Sequence, residues 1–223
     1  MSNPKQYNVI LHGESSLLMH KDNITFSESV TQWSKDPANK DKTVAGDDRT
    51  PAWTWVGYTY HDGDVLGMPS DNLMTMLREG GAKVTKKGKE TFKKPTQSGI
   101  LIDQQQWTLL IDNNPVPIQP IKNLIGNNNF NDHLRVTEEL GFELLVKRAA
   151  IGRAKHIRVR PMFRNWKLVG SLTVLDDELS DISFDTLKGI FVQSGALCGI
   201  GDWRPSSGSS GTFGRFYADI EPV

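Results

Sequence analysis

The order of apolar patterns along this 223-residue chain predicts an α+β fold, and three observations carry that expectation. The stretch QYNVILHG alternates, with Tyr7, Val9 and Leu11 on one side and Asn8, Ile10 and His12 on the other, which reads as an opening strand. Two amphipathic helix patterns, SDNLMTMLREGG and SFDTLKGIFVQSGAL, lie far apart in the chain. Each is followed by a strand pattern, WTLLID after the first and FGRFYADIE after the second.

After the opening strand, TFSESVTQW sets Phe26, Val30 and Trp33 at helical spacing, with Thr25 and Glu28 matching a capping box. From Lys35 to Pro51 the chain is polar and aperiodic, as a loop or insertion is. Asp62-Gly63 sits between short apolar runs and signals a hairpin. In the first amphipathic helix Ser70 is the expected N-cap, Leu73, Met76 and Leu77 form one face, and Gly80-Gly81 is the stop. A basic segment, Lys83 to Lys94, comes next and reads as a mobile loop. Residues 113–133 are rich in Asn and Pro, which favours an irregular arm. FELLVKRAA, HIRVRPMF and WKLVGSLTVL read as three strands. The second helix follows, capped by Ser183, and a Gly/Ser loop then leads to a final strand with Phe216, Ala218 and Ile220 on one side. The sum is a ferredoxin-like (RRM-like) βαββαβ core in one domain spanning 1–223, with insertions at about 21–64 and 113–135.

Composition bounds the chemistry. Hydrophobic residues make up 37%, enough for a core, and formal net charge is zero, so any attraction to polyanions rests on local clusters. The single cysteine, Cys198, excludes an intramolecular disulfide and reads as a small core residue. No apolar run reaches the length of a membrane span and the N-terminus lacks the order of a signal peptide, so a cytoplasmic protein with no membrane partner is expected. Five scattered histidines show neither HExxH nor paired acids, so neither a metal nor a cofactor is expected and the protein reads as non-catalytic. His20 is the only candidate for a general base toward RNA.

Four features point to nucleic acid. No acidic residue lies between 144 and 175, where HIRVRPMFR alternates Ile157, Val159, Pro161 and Phe163 against His156, Arg158, Arg160, Met162 and Arg164; with Arg153 and Lys155 this makes a stripe of phosphate-binding donors. The segment KVTKKGKETFKK carries Lys83, Lys86, Lys87, Lys89, Lys93 and Lys94 against Glu90 alone, and its Phe92 is either a base-stacking ring or an anchor into the protein. The helix start at Ser70, Asp71 and Asn72 offers backbone N–H groups to an anion, with Asp71 competing. The closing loop has Trp203 as a stacking face, Arg204 and Arg215 as flanking cations, and glycines that admit close backbone approach; it lacks the P-loop pattern.

Two of these segments carry a resemblance. GMPSDNLMTMLREGG resembles the helix start of the repeat-associated mysterious proteins (RAMPs), which include backbone subunits of CRISPR effector complexes, and GIGDWRPSSGSSGTFGRF resembles their Gly-rich loop between the second core helix and last strand. The opening LHGESSLLMH, taken with that closing loop, is also similar to small proteins encoded by bacteriophages. The resemblance spans roughly residues 5–20, 65–112 and 140–221. It implies binding of single-stranded RNA at Ser70, Asn72 and the Gly201–Gly214 loop, with copies assembling as a homo-oligomer along the strand inside a bacterial host. The departures are Asp71 in the helix start and the neutral net charge.

The leading expectation is thus a non-catalytic protein that binds single-stranded RNA. Beside it stand a phage single-stranded DNA-binding or annealing protein, a protein-interaction module that mimics or inhibits a host defence complex through host or phage partners, and an RNA-cleaving relative using His20.

Overall fold

A computed structural model describes residues 4–42, 51–151, 154–176, 180–208 and 211–223; side chains at 40–42 and 148–157 lie outside the description. In chain order the elements are β1 (Lys5–Gly13), α1 (Ile24–Lys35), β2 (Gly67–Pro69), α2 (Ser70–Gly81), β3 (Thr85–Lys87), β4 (Glu90–Thr91), α3 (Lys93–Gly99), β5 (Ile100–Ile102), β6 (Gln106–Ile111) and β7 (Asn114–Pro115). They continue with α4 (Gln119–Lys122), α5 (Phe130–Glu139), β8 (Glu143–Ile151), β9 (Ala154–Phe163), β10 (Lys167–Val174), α6 (Phe184–Gln193) and β11 (Phe216–Pro222). The protein is a mixed α+β structure whose strand pairs are antiparallel. It divides into two compact units, one of Met1–Leu18, His61–Val116 and Arg164–Val223, the other of Met19–Tyr60 and Pro117–Phe163.

The first unit is built on a sheet in the order β11-β1-β10-β6-β2, with β5 on β10 and β7 on β6. Alternation decides its faces: Tyr7, Val9 and Leu11 of β1, Leu168 and Leu172 of β10, and Trp107, Leu109 and Ile111 of β6 are buried, while Gln6 and Asn8 are exposed. On α2 the buried set is Leu73, Met76 and Leu77; on α6 it is Leu187, Ile190 and Phe191, both at the helical spacing read from sequence. Ser183 caps α6 by accepting from the Thr186 amide. The two helices meet closely because residue 80 is glycine: a Cβ there would overlap the Ser194 side chain, whose Oγ donates to the Met76 carbonyl at 3.3 Å. Gly80 and Gly81 therefore serve packing inside α2, which runs through Gly81, instead of stopping it.

Several local expectations shift. The N-cap of α2 is Pro69, with Ser70 as its first helical residue. α1 is capped by Asn23, whose side chain accepts from the Phe26 amide at 3.1 Å, so the Thr25/Glu28 box is not the cap. The turn at Asp62-Gly63 forms as expected: Asp62 Oδ1 accepts from the Val65 and Asp64 amides, both at 2.9 Å, which holds its carboxyl below the usual range. The run before it, Ala52–Tyr58, is a 3-10 helix, because its buried side chains Trp53, Trp55 and Val56 do not alternate. The polar stretch after α1 contains a 3-10 turn, Pro37–Lys42, and its residues 43–50 lie outside the described ones. The Asn/Pro segment is mostly irregular, as expected, but contains the one-turn helix α4 and the start of α5, with Asn129 supplying the cap of α5. The Gly88 turn orders the basic segment as a β3–β4 hairpin.

The second unit holds α1, the 3-10 helix, α4, α5 and the β8–β9 hairpin, paired from Ala154↔Ile151 to Met162↔Glu143. Of the three strands expected after residue 140, only β10 joins the large sheet. Its centre is polar as well as aromatic. Trp55 Nε1 donates to Nδ1 of the buried His133 at 3.0 Å, and His133 Nε2 meets the Asn127 carbonyl at 2.8 Å. A ring whose Nδ1 accepts and whose Nε2 donates is neutral. Burial pushes the imidazole below its ordinary 6.5, so the unit's stability is complete above that value and is lost as pH falls through the lowered one. Urea unfolding followed by tryptophan fluorescence is expected to show a midpoint that drops between pH 7 and 5. In His133→Gln that acid loss shrinks.

Candidate nucleic-acid interface

Of the sequence-selected residues, one set stays together at the surface. Lys83 and Val84 leave α2 with their amides on the Gly80 and Gly81 carbonyls, at 2.8 and 3.3 Å. The chain then turns through Gly88, and Phe92 closes the hairpin by donating its amide to Val84 at 3.0 Å. The Phe92 ring is 8% exposed, so it is the anchor, and a base cannot stack on it without pulling it from the core. That anchoring leaves Lys83, Lys86, Lys87 and Lys89 exposed on the hairpin, with Lys93 and Lys94 exposed at the start of α3. Lys86 Nζ lies 2.6 Å from Asp181, whose hydrogen bond raises the ammonium pKa. Five more ammonium groups lie on the same short stretch and make an electropositive surface.

The arginine stripe does not survive as a row. Arg160 is 9% exposed, and its Nη2 lies 3.5 Å from His20 Nδ1. Its neighbours Pro161, Met162 and Phe163 are buried too, so both faces of this half of β9 are covered and alternation exposes no solvent face. Arg158 is half-buried, opposite Lys147, and Arg164 is exposed beyond the strand end. Arg153, and the side chain of Lys155, lie outside the described residues. The lysine patch belongs to the first unit and Arg158 and Arg160 to the second.

At the helix start the Ser70 amide is already engaged. It donates to the Gln105 carbonyl at 2.9 Å, Asn72 Nδ2 contacts Met68 Sδ at 3.3 Å, and Asp71 is exposed beside them. The closing loop uses its glycines on itself. Gly201 (φ +83°) and Gly214 (φ +72°) are in the left-handed region, and a Cβ at either would strike a backbone carbonyl, of Leu18 or of Ile200. Arg204 reaches Glu79 at 3.2 Å and the Gly201 carbonyl at 3.3 Å; Ser206 donates to the same Glu79. The Trp203 ring packs with Phe213, and the Arg215 guanidinium donates to the Ala196 carbonyl. Chain passes against chain here, so the loop packs on protein, and Arg204 and Arg215 are partnered by Glu79 of α2 and by the Ala196 carbonyl.

His20 rests edge-on against Tyr58, ring centroids 4.5 Å apart, beside the Arg160 guanidinium. Cys198 is fully buried, and burial raises its thiol pKa. Among the described residues no group of three His, Cys, Asp or Glu is placed to hold a metal, and no helix is long and apolar enough to cross a membrane. One surface feature escaped sequence reasoning. His12 on β1 and Tyr217 on β11 stand opposite each other with rings parallel to within 2° at 4.6 Å. Alternation puts both outside the core; only the register shows that they touch.

No protein-family profile matches the chain, and no curated protein is similar to it at a significant level.

The contrast between the two basic segments is measurable. Arg160→Ala is expected to cost about 1–3 kcal/mol in urea unfolding, as removal of a buried hydrogen-bonding group does. Lys87→Ala is expected to stay within about 0.5 kcal/mol of the parent.

Proposed function

We propose that the protein is a non-catalytic single-stranded nucleic-acid-binding protein, RNA in preference to DNA, that contacts the phosphate backbone through the lysine patch Lys83–Lys94. The observation that carries this reading is the cluster of six exposed lysines on the β3–β4 hairpin and the start of α3, with Glu90 its only internal acid and Lys86 alone paired, to Asp181. Ammonium groups fixed at the surface bind a polyanion by releasing its counterions, without reading bases. Neutral net charge is compatible with this, because the local potential of the patch, not the sum over the chain, meets the strand.

The reading includes a ferredoxin-like core in the first unit. Its support is the sheet order β11-β1-β10-β6, with α2 between β1 and β6 in the chain and α6 between β10 and β11. The likeness of the α2 start and closing loop to RAMP proteins adds the expectation that copies assemble along the strand. It gives no role to Ser70, Trp203 or Arg204 as direct contacts, since their groups are engaged within the fold.

Fluorescence anisotropy with matched 20-nucleotide RNA and DNA oligomers tests the proposal. In Lys87→Glu/Lys89→Glu/Lys93→Glu, affinity at low salt is expected to fall about 10–100-fold, and the salt slope to lose about 0.7 per lysine removed from a phosphate. A folded triple variant that binds as the parent does overturns the assignment. A size-exclusion profile that grows with RNA length measures the assembly.

A further inference from the structure

The edge of the large sheet offers a second surface, independent of the lysine patch. β11 is its outermost strand, paired only to β1 in the sheet order, so every other residue turns its N–H and C=O away from β1. Its middle, Tyr217–Ile220, holds no proline, no lysine and no bulge, and Asp219 is its one charged residue. Beside it runs a groove of about 510 Å3 lined by Phe191 and Val192 of α6 and Ala218 and Ile220 of β11, with Glu14 and Lys188 as further charged lining residues. Val192 is 63% exposed, so an apolar side chain of the groove reaches solvent.

The two faces of β11 differ in charge. On the helix side stand Phe216, Ala218 and Ile220; on the other stand Tyr217, Asp219 and Glu221. Asp219 is 62% exposed even while it accepts from His12 Nε2 at 2.8 Å. Asp103, elsewhere on the sheet, is engaged internally, accepting from Ser171, Thr173 and Gln6. The His12–Tyr217 stack adds direction. Rings 4.6 Å apart on strands about 4.8 Å apart are stacked along the pairing direction. One face of Tyr217 is therefore against His12, and its other face looks off the sheet where the next strand would lie.

We propose that β11 is a docking edge for an extended polypeptide segment with alternating basic and apolar residues. Its apolar side chains enter the groove against Phe191 and Val192. Its basic ones lie opposite Asp219 and Glu221, with an arginine continuing the stack on Tyr217. A second copy of β11 is the wrong occupant: antiparallel self-pairing centred on residue 219 opposes Asp219 with Asp219 and sets Glu221 against Tyr217.

The test is anisotropy and hydrogen exchange on the full chain with a labelled octapeptide of alternating Arg and Val. Comparison peptides alternate Glu and Val, or carry N-methyl groups on the edge-facing amides of the Arg/Val sequence. The Arg/Val peptide is expected to bind and to protect β11 amides. The Glu/Val peptide should bind about tenfold more weakly, N-methylation should abolish binding, and Tyr217→Ala should weaken it. Asp219→Lys/Glu221→Lys, two exposed substitutions, should reverse the charge preference. Equal binding of the N-methylated peptide, or protection away from β11, overturns the proposal. So does a concentration-dependent dimer that protects β11 without peptide, or RNA binding that is lost in Tyr217→Ala. Failure here leaves the lysine-patch experiment untouched, because the variants share no residue.

Discussion

The register of β1 is the constraint on which the first unit depends. This strand, near the N-terminus, lies between β10 and β11, whose partners are more than 150 residues away in the chain. Bringing such distant segments together costs loop-closure entropy, and only burial along the whole strand repays it. Tyr7, Val9 and Leu11 supply that burial on one face. A slip of one residue would turn all three to solvent and bring Asn8 and His12 into the core, so the pairing is strongly specified. From the register follow the Tyr7–Phe184 stack that seats α6, the Ser15 and Ser16 contacts that hold the closing loop, and the meeting of His12 with Tyr217.

The closing loop shows how this constraint uses glycine. Residues 199–214 must return from the end of α6 to β11 while passing over Leu17 and Leu18. The Asp202 amide bonds the Leu18 carbonyl and the Gly214 amide bonds the Ser16 carbonyl, while a Cβ at Gly201 or Gly214 would strike the Leu18 or the Ile200 carbonyl. The same composition that suits a ligand cradle therefore suits a tightly packed return. Which of the two applies depends on what lies within a few ångströms, and here it is the protein's own backbone. Trp203, at φ +49°, is held in this path by the turn and by Phe213.

Charge divides in a similar way. Arg160 sits in the half of β9 that is covered on both faces, where its guanidinium lies beside His20 and its long apolar stem packs. Lysines on β3, in the turn after it and at the start of α3 are exposed around the buried Phe92, and of these Lys86 pairs with Asp181. Counting cations along the chain cannot separate these cases. Burial does.

The sequence by itself determined the elements whose evidence is local. The alternation of β1, the amphipathic faces of α2 and α6, the Ser183 cap and the Asp62-Gly63 turn are each written within a few residues, and each forms. The sheet partners, the 3-10 helix at Ala52–Tyr58 and the separation of β8–β9 into a second unit were settled by tertiary packing. The candidate surface was half legible: Lys83–Lys94 could be read from charge density, but Arg160 and Ser70 could not be struck off until their neighbours were in place. The physical reason is one of range. A helix face or a turn is selected by interactions three or four residues apart. Whether a side chain meets solvent, and which strand lies beside it, depends on segments that only the folded chain brings together.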